Sequence, residues 1–111
     1  MADSALLLQE IFEGSGAMLT FATKGETAVD MALKTDFQFI LMDLRLPDID
    51  GVQATKLILN KKPDISVIAQ TANVSDDERQ RCLNNGFAGY INKPIDKTEL
   101  FKVINSIINK T

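Results

Sequence analysis

The chain has 111 residues, 45% of them hydrophobic and 24% charged, with a formal charge of −3, which bounds it to one globular domain large enough for a real core. A single cysteine, Cys82, and no histidine exclude an internal disulfide, zinc sites and Ser-His or Cys-His catalysis, and the lone thiol fits a reducing cytosol. The mild acidity without a Lys/Arg run, the lack of any apolar run near the roughly 18 residues of a membrane span, and an N-terminus (MADSALLLQEIF) without a basic leader argue for a cytoplasmic protein with no nucleic-acid or membrane partner.

Taken in order, residues 5–12 read as a helix, with Leu7/Ile11 and Leu8/Phe12 as apolar i,i+4 pairs stopped by Gly14 and Gly16. Residues 17–22 (AMLTFA) predict a short strand and 25–33 a second helix. The nearly all-apolar stretch 37–42 (FQFILM) predicts a strand buried on both faces of a parallel sheet. A loop, LPDIDG, follows; Asp50 and Gln53 stand at N-cap and N3 of a helix running to about Asn60. Pro63 and Asp64 break the chain before a strand at 65–69 (ISVIA). Ser75 and Glu78 form a capping box for a helix that Asn85-Gly86 closes. Residues 87–91 (FAGYI) predict the last strand, and Asp96 to Glu99 a cap for a final helix with Leu100, Ile104, Ile107 and Ile108 as its apolar stripe.

Strands alternating with helices predict an α/β fold, a parallel sheet covered by helices on both faces, in which function gathers at the C-terminal ends of the strands. Those ends carry Asp43, Thr71 and Lys93, one polar residue after each of three apolar strands. A carboxylate nucleophile, a hydroxyl donor and a fixed ammonium can together accept a phosphoryl group. Alone, such an aspartate ordinarily caps a loop, a lysine before Pro94 is a solvated turn residue, and a threonine is a plain strand-end hydroxyl. The three in register carry the functional reading. Asp48 and Asp50 resemble a metal cluster with Asp43 but are better explained by solvation and helix capping. Cys82 reads as a small apolar helix residue, and Met18, Met31 and Met42 as core fillers.

The stretch LMDLRLPDIDG, the pair Thr71-Ala72, and Tyr90 followed by Lys93-Pro94 closely resemble the receiver domains of bacterial two-component response regulators, a flavodoxin-like family. The spacings fit as well: Thr71 stands 28 residues after Asp43, and Lys93 22 after Thr71. The resemblance covers residues 1–111 and implies a phosphorelay receiver rather than an enzyme, assisting only its own phosphoryl transfer and hydrolysis. Asp43 would be the acceptor for a histidine kinase or phosphotransfer protein, with Lys93 and Thr71 contacting the phosphoryl group. Thr71 and Tyr90 would form the switch, turning a face of the last two helices and last strand toward a downstream protein partner. Mg²⁺ would be held by the Asp43 carboxylate and the Arg45 backbone carbonyl.

Against the family pattern of five strands and five helices, the chain starts within the first helix, so four strands and five helices are expected. The first strand and the acidic pair at its end are expected to be missing, with Mg²⁺ binding weakened and strands 17–22 and 37–42 left with apolar edges that close on each other or pair between chains. Asp3 matches the first turn of the helix rather than that pair. The alternative is a degenerate receiver that binds partners without being phosphorylated. An aspartate-nucleophile phosphatase of the haloacid-dehalogenase type wants a second Asp where Arg45 stands, and a flavin or dinucleotide binder wants a Gly-rich loop after a first strand.

Overall fold

In the computed structural model, residues 24–37, 39–45, 48–72, 75–93 and 95–108 are described. They form α1 (Gly25–Lys34), β1 (Phe39–Asp43), α2 (Gly51–Lys61), β2 (Ser66–Thr71), α3 (Asp76–Asn84), β3 (Gly89–Asn92) and α4 (Lys97–Ile108). The helix expected at 5–12, the strand expected at 17–22, and the readings of Asp3 and Met18 lie outside the described residues, as does any pairing between 17–22 and β1. The described strands make a parallel sheet in the order β1-β2-β3, with Phe39 opposite Ser66 and Ile68 opposite Gly89.

Because side chains alternate across a strand, the apolar runs feed two separate cores. Ile40, Met42, Val67, Ala69 and Tyr90 join residues of α1, α2 and α3, among them Ala32, Val52, Ile58 and Cys82. Phe39, Leu41, Ile68 and Ile91 face the other way and pack on Leu100, Ile104 and Ile107 of α4. Ile58, Ile68, Ile91 and Leu100 are fully buried; each such side chain contributes about 1.5–3 kcal/mol on leaving water. Met42 and Cys82 are core residues as expected, whereas Met31 is only half-buried on α1. No helix among the described residues is long and apolar enough to cross a membrane.

The strands are shifted relative to the apolar runs. β1 begins at Phe39 and continues through Asp43, which pairs with Gln70, and β2 continues to Thr71, which pairs with Asn92. The apolar runs stop short of the rim, and the backbone ladder extends past them. At the other end, Phe87 is not in β3. Its N–H donates to the Cys82 carbonyl and the Gly86 N–H to the Leu83 carbonyl, the paired bonds that close α3 around Gly86 at φ +90°.

Three helix starts follow the capping patterns: Asp50 accepts from the Val52 N–H at 2.8 Å, Ser75 from the Glu78 N–H at 3.2 Å and Asp96 from the Glu99 N–H at 3.0 Å. For α1 the preceding residue, Lys24, supplies no side-chain cap. Asp48 does so from outside the helix, accepting from the Gly25 N–H at 2.7 Å and the Glu26 N–H at 3.0 Å. These backbone bonds hold its carboxyl at about 2, below the ordinary 3.8. Since the folded value is the lower one, the tie is complete above pH 4 and is lost as pH falls toward 2. Protection of the Gly25 and Glu26 amides relative to their intrinsic exchange rates is therefore expected to fall over that interval, and Asp48→Ala to show the lower protection already at neutral pH.

Candidate functional site

Asp43, Thr71 and Lys93 meet at the C-terminal rim of the sheet because their strands are adjacent and parallel. Asp43 ends β1, Thr71 ends β2, and Lys93 directly follows β3. The ladder reaches one residue further at both seams: the Leu44 N–H donates to the Gln70 carbonyl at 3.2 Å, and the Lys93 N–H to the Thr71 carbonyl at 2.9 Å. β1 and β3 are not neighbours, so the Lys93 side chain must cross the end of β2 to meet Asp43. It does so, Nζ donating to Asp43 Oδ2 at 2.5 Å. Thr71 stands at the strand end that this bridge crosses and is only 3% exposed.

The second carboxylate oxygen is fixed locally: Asp43 Oδ1 accepts from the Arg45 N–H at 2.9 Å. The loop after Asp43 is in turn pressed against the start of α2, where the Gly51 N–H donates to the Leu44 carbonyl at 3.2 Å and Arg45 pairs with Asp50. Gly51 permits this approach because a Cβ there would run into the Asp43 carbonyl oxygen and the Leu44 Cα. Asp43 is about one-third exposed, its side chain at 34%, so an incoming group can reach it while its orientation is held from two sides.

The sequence pattern of the response regulator receiver domain matches residues 2–105. This chain belongs to the response regulator receiver family. The sensor protein GacS of Pseudomonas syringae is 31% identical over 104 residues, covering 89% of this receiver but 12% of that protein. The histidine-protein kinase BarA of Escherichia coli K12 is 31% identical over 100 residues, covering 88% of this receiver and 11% of the kinase. The receiver thus spans about a tenth of the length of those relatives. Among solved structures, the receiver domain of a sensor histidine kinase from Pseudomonas aeruginosa PAO1, crystallised with a magnesium ion in its active site cleft, superposes with a TM-score of 0.89 at 29% identity, over 99% of this chain and 92% of that one.

Tyr90, the aromatic of the expected switch, lies in β3. It pairs with Ala69, two residues before Thr71, so by strand alternation Tyr90 and Thr71 share the face toward α1–α3. The ring is half-buried, and that burial pushes the phenol above its ordinary pKa. The oxygen donors expected for Mg²⁺, the Asp43 carboxylate and the Arg45 backbone carbonyl, belong to residues two apart at the start of the same loop. They are the hard ligands that Mg²⁺ takes alongside several waters. Among the described residues there is no group of three or more His, Cys, Asp or Glu able to hold a metal.

Asp48 and Asp50 both cap helices, as expected. What the sequence reading missed is that each also ties separate elements: Asp48 to α1, and Asp50 to α3 through Arg81, whose Nη2 donates to Asp50 Oδ2 at 2.6 Å. Arg81 and Glu78 also line a cleft of about 200 Å³ beside Thr71, with Leu44, Arg45 and Asp50 completing it. The partners are 31 positions apart on different elements, and nothing in their local patterns signals the contact.

Proposed function

We propose that Asp43 accepts a phosphoryl group from a histidine kinase or phosphotransfer protein, and that α3, β3 and α4 carry the face a downstream protein reads. The observation that supports this most is the Lys93 Nζ–Asp43 Oδ2 bridge across the end of β2, where Thr71 stands. In the transfer, an Asp43 carboxylate oxygen attacks phosphorus as the bond from phosphorus to the donor imidazole nitrogen breaks, and the imidazole leaves with the electron pair. The Lys93 ammonium neutralises charge on the phosphoryl oxygens, and the Thr71 hydroxyl donates to one of them. Mg²⁺, held by the Asp43 carboxylate and the Arg45 carbonyl, would supply further positive charge there. The chain is on this reading a phosphoacceptor that assists only its own transfer and hydrolysis, not an enzyme acting on other substrates.

Movement of Thr71 toward the phosphoryl group vacates space on the face it shares with Tyr90, and the half-buried ring can turn into it. That would alter β3 and the flanking helices, which is how a change at one carboxylate reaches a protein partner. Treatment with acetyl phosphate and Mg²⁺ should add the mass of one phosphoryl group to the wild-type chain and nothing to Asp43→Asn. A wild-type chain that takes up none would instead be a binding module that works unphosphorylated.

A further inference from the structure

Arg81 lies on α3, away from the reacting atoms, yet it makes a side-chain ion pair to the N-cap of α2, in the loop that follows Asp43. Its Nη2 meets Asp50 Oδ2 at 2.6 Å, while its Nη1 lies 3.5 Å from Glu78 Oε1 on its own helix. Asp50 is a fixed anchor. Its other oxygen caps α2 through the Val52 N–H, and its backbone is bridged to Arg45, two residues after Asp43. α3, by contrast, is joined to the site by its N-terminus, since Ser75 caps it only four residues after Thr71.

The geometry points to the Arg81–Asp50 ion pair as a lock that holds α3 against the acceptor loop in the unphosphorylated chain and opens when Thr71 engages a phosphoryl group. The inference rests on Asp43 being the acceptor and names the regulation of that same site. Ser75, at the start of α3, stands four positions after Thr71, while Arg81 tethers the second turn of that helix to Asp50, which the α2 cap and the bridge to Arg45 hold. The tether therefore opposes a shift of α3 with Thr71. The cleft of about 200 Å³ between the two attachments leaves room for it. Glu78 gives the lock a second position, because Arg81 can release Asp50 and keep a carboxylate partner on its own helix. The pair is solvent-facing, with side chains 46% and 40% exposed, so its removal should bias the helix position without unfolding the domain.

By linkage, a contact present only in the resting state weakens any ligand that prefers the switched state, and removing the contact strengthens that ligand. Beryllofluoride, which mimics a phosphoryl group on a carboxylate, is the probe. Calorimetric titration in the presence of Mg²⁺ should show about two- to fivefold tighter binding for Arg81→Met and for Asp50→Asn, the gain expected from losing an exposed ion pair. Met keeps the helix propensity and stem of Arg81, and Asn keeps the cap on α2. The double variant should bind no tighter than either single one, because both remove the same interaction. Unchanged or weaker binding in both single variants, or additive gains in the double, would overturn the lock. A wild-type chain that does not bind beryllofluoride overturns the acceptor reading instead. The lock is then judged on amide exchange in α3, which must accelerate in both variants and, if unchanged, rules it out.

Discussion

Gly51→Ala is expected to lower the melting temperature by roughly 10–20 °C, a loss of about 3 kcal/mol from overpacking against a backbone that cannot retreat. The added Cβ would strike the Asp43 carbonyl oxygen, with the Leu44 Cα 2.8 Å away. Both atoms belong to the end of β1, and β1 is held by its ladder to β2 through Asp43 opposite Gln70. Relief would require either unzipping that pair or lifting α2 off the Asp50 cap and the Gly51–Leu44 hydrogen bond. Gly89 provides the comparison: there a Cβ would meet the Val103 Cγ1 at 2.7 Å, a side-chain methyl on α4 that can shift. Gly89→Ala should therefore cost clearly less. Thermal melts of the two variants followed by circular dichroism measure the difference, and equal melting temperatures would show that the β1–α2 corner is not the rigid element argued above.

Lys93→Ala is expected to slow phosphoryl uptake from acetyl phosphate by about 100- to 1000-fold, the usual cost of removing one group that stabilises charge in the transition state. Its ammonium is the only side-chain cation with a hydrogen bond to the Asp43 carboxylate among the described residues. The stability change should be small, about 1 kcal/mol, because the two side chains are 28% and 34% exposed and water replaces much of the pair. The two readouts separate the roles. A time course of mass gain reports the chemistry, and a melt of the same sample shows that the domain is folded. A variant that is labelled at the wild-type rate would leave Lys93 a structural bridge only.

Much of the fold was legible because each apolar run has a length and flanking residues that suit one element. FILM before Asp43, SVIA before Gln70-Thr71 and GYI before Asn92-Lys93 end near the same rim, and a parallel sheet brings such ends together whatever the loops between them do. That is why the triad could be placed by its spacing. The strand boundaries were less legible, since the apolar run stops at Met42 while the ladder runs on to Asp43. Phe87 misled for the opposite reason: it is buried at 4% and reads as strand, yet Gly86 turns it into the residue that closes α3. The contacts made by Asp48 and Arg81 had no sequence signal. Each joins elements more than 20 positions apart through a polar side chain, and a helical period reports only neighbours on the same helix.

The role of Asp43 is tested most directly by reduction of the phosphorylated chain with borohydride, which converts an aspartyl phosphate, but not a free carboxylate, to homoserine. After treatment with acetyl phosphate and Mg²⁺, peptide sequencing by mass spectrometry should find homoserine at position 43 and aspartate unchanged at positions 48 and 50. Homoserine at another aspartate, or none at position 43 in a chain that has gained a phosphoryl group, would contradict the assignment.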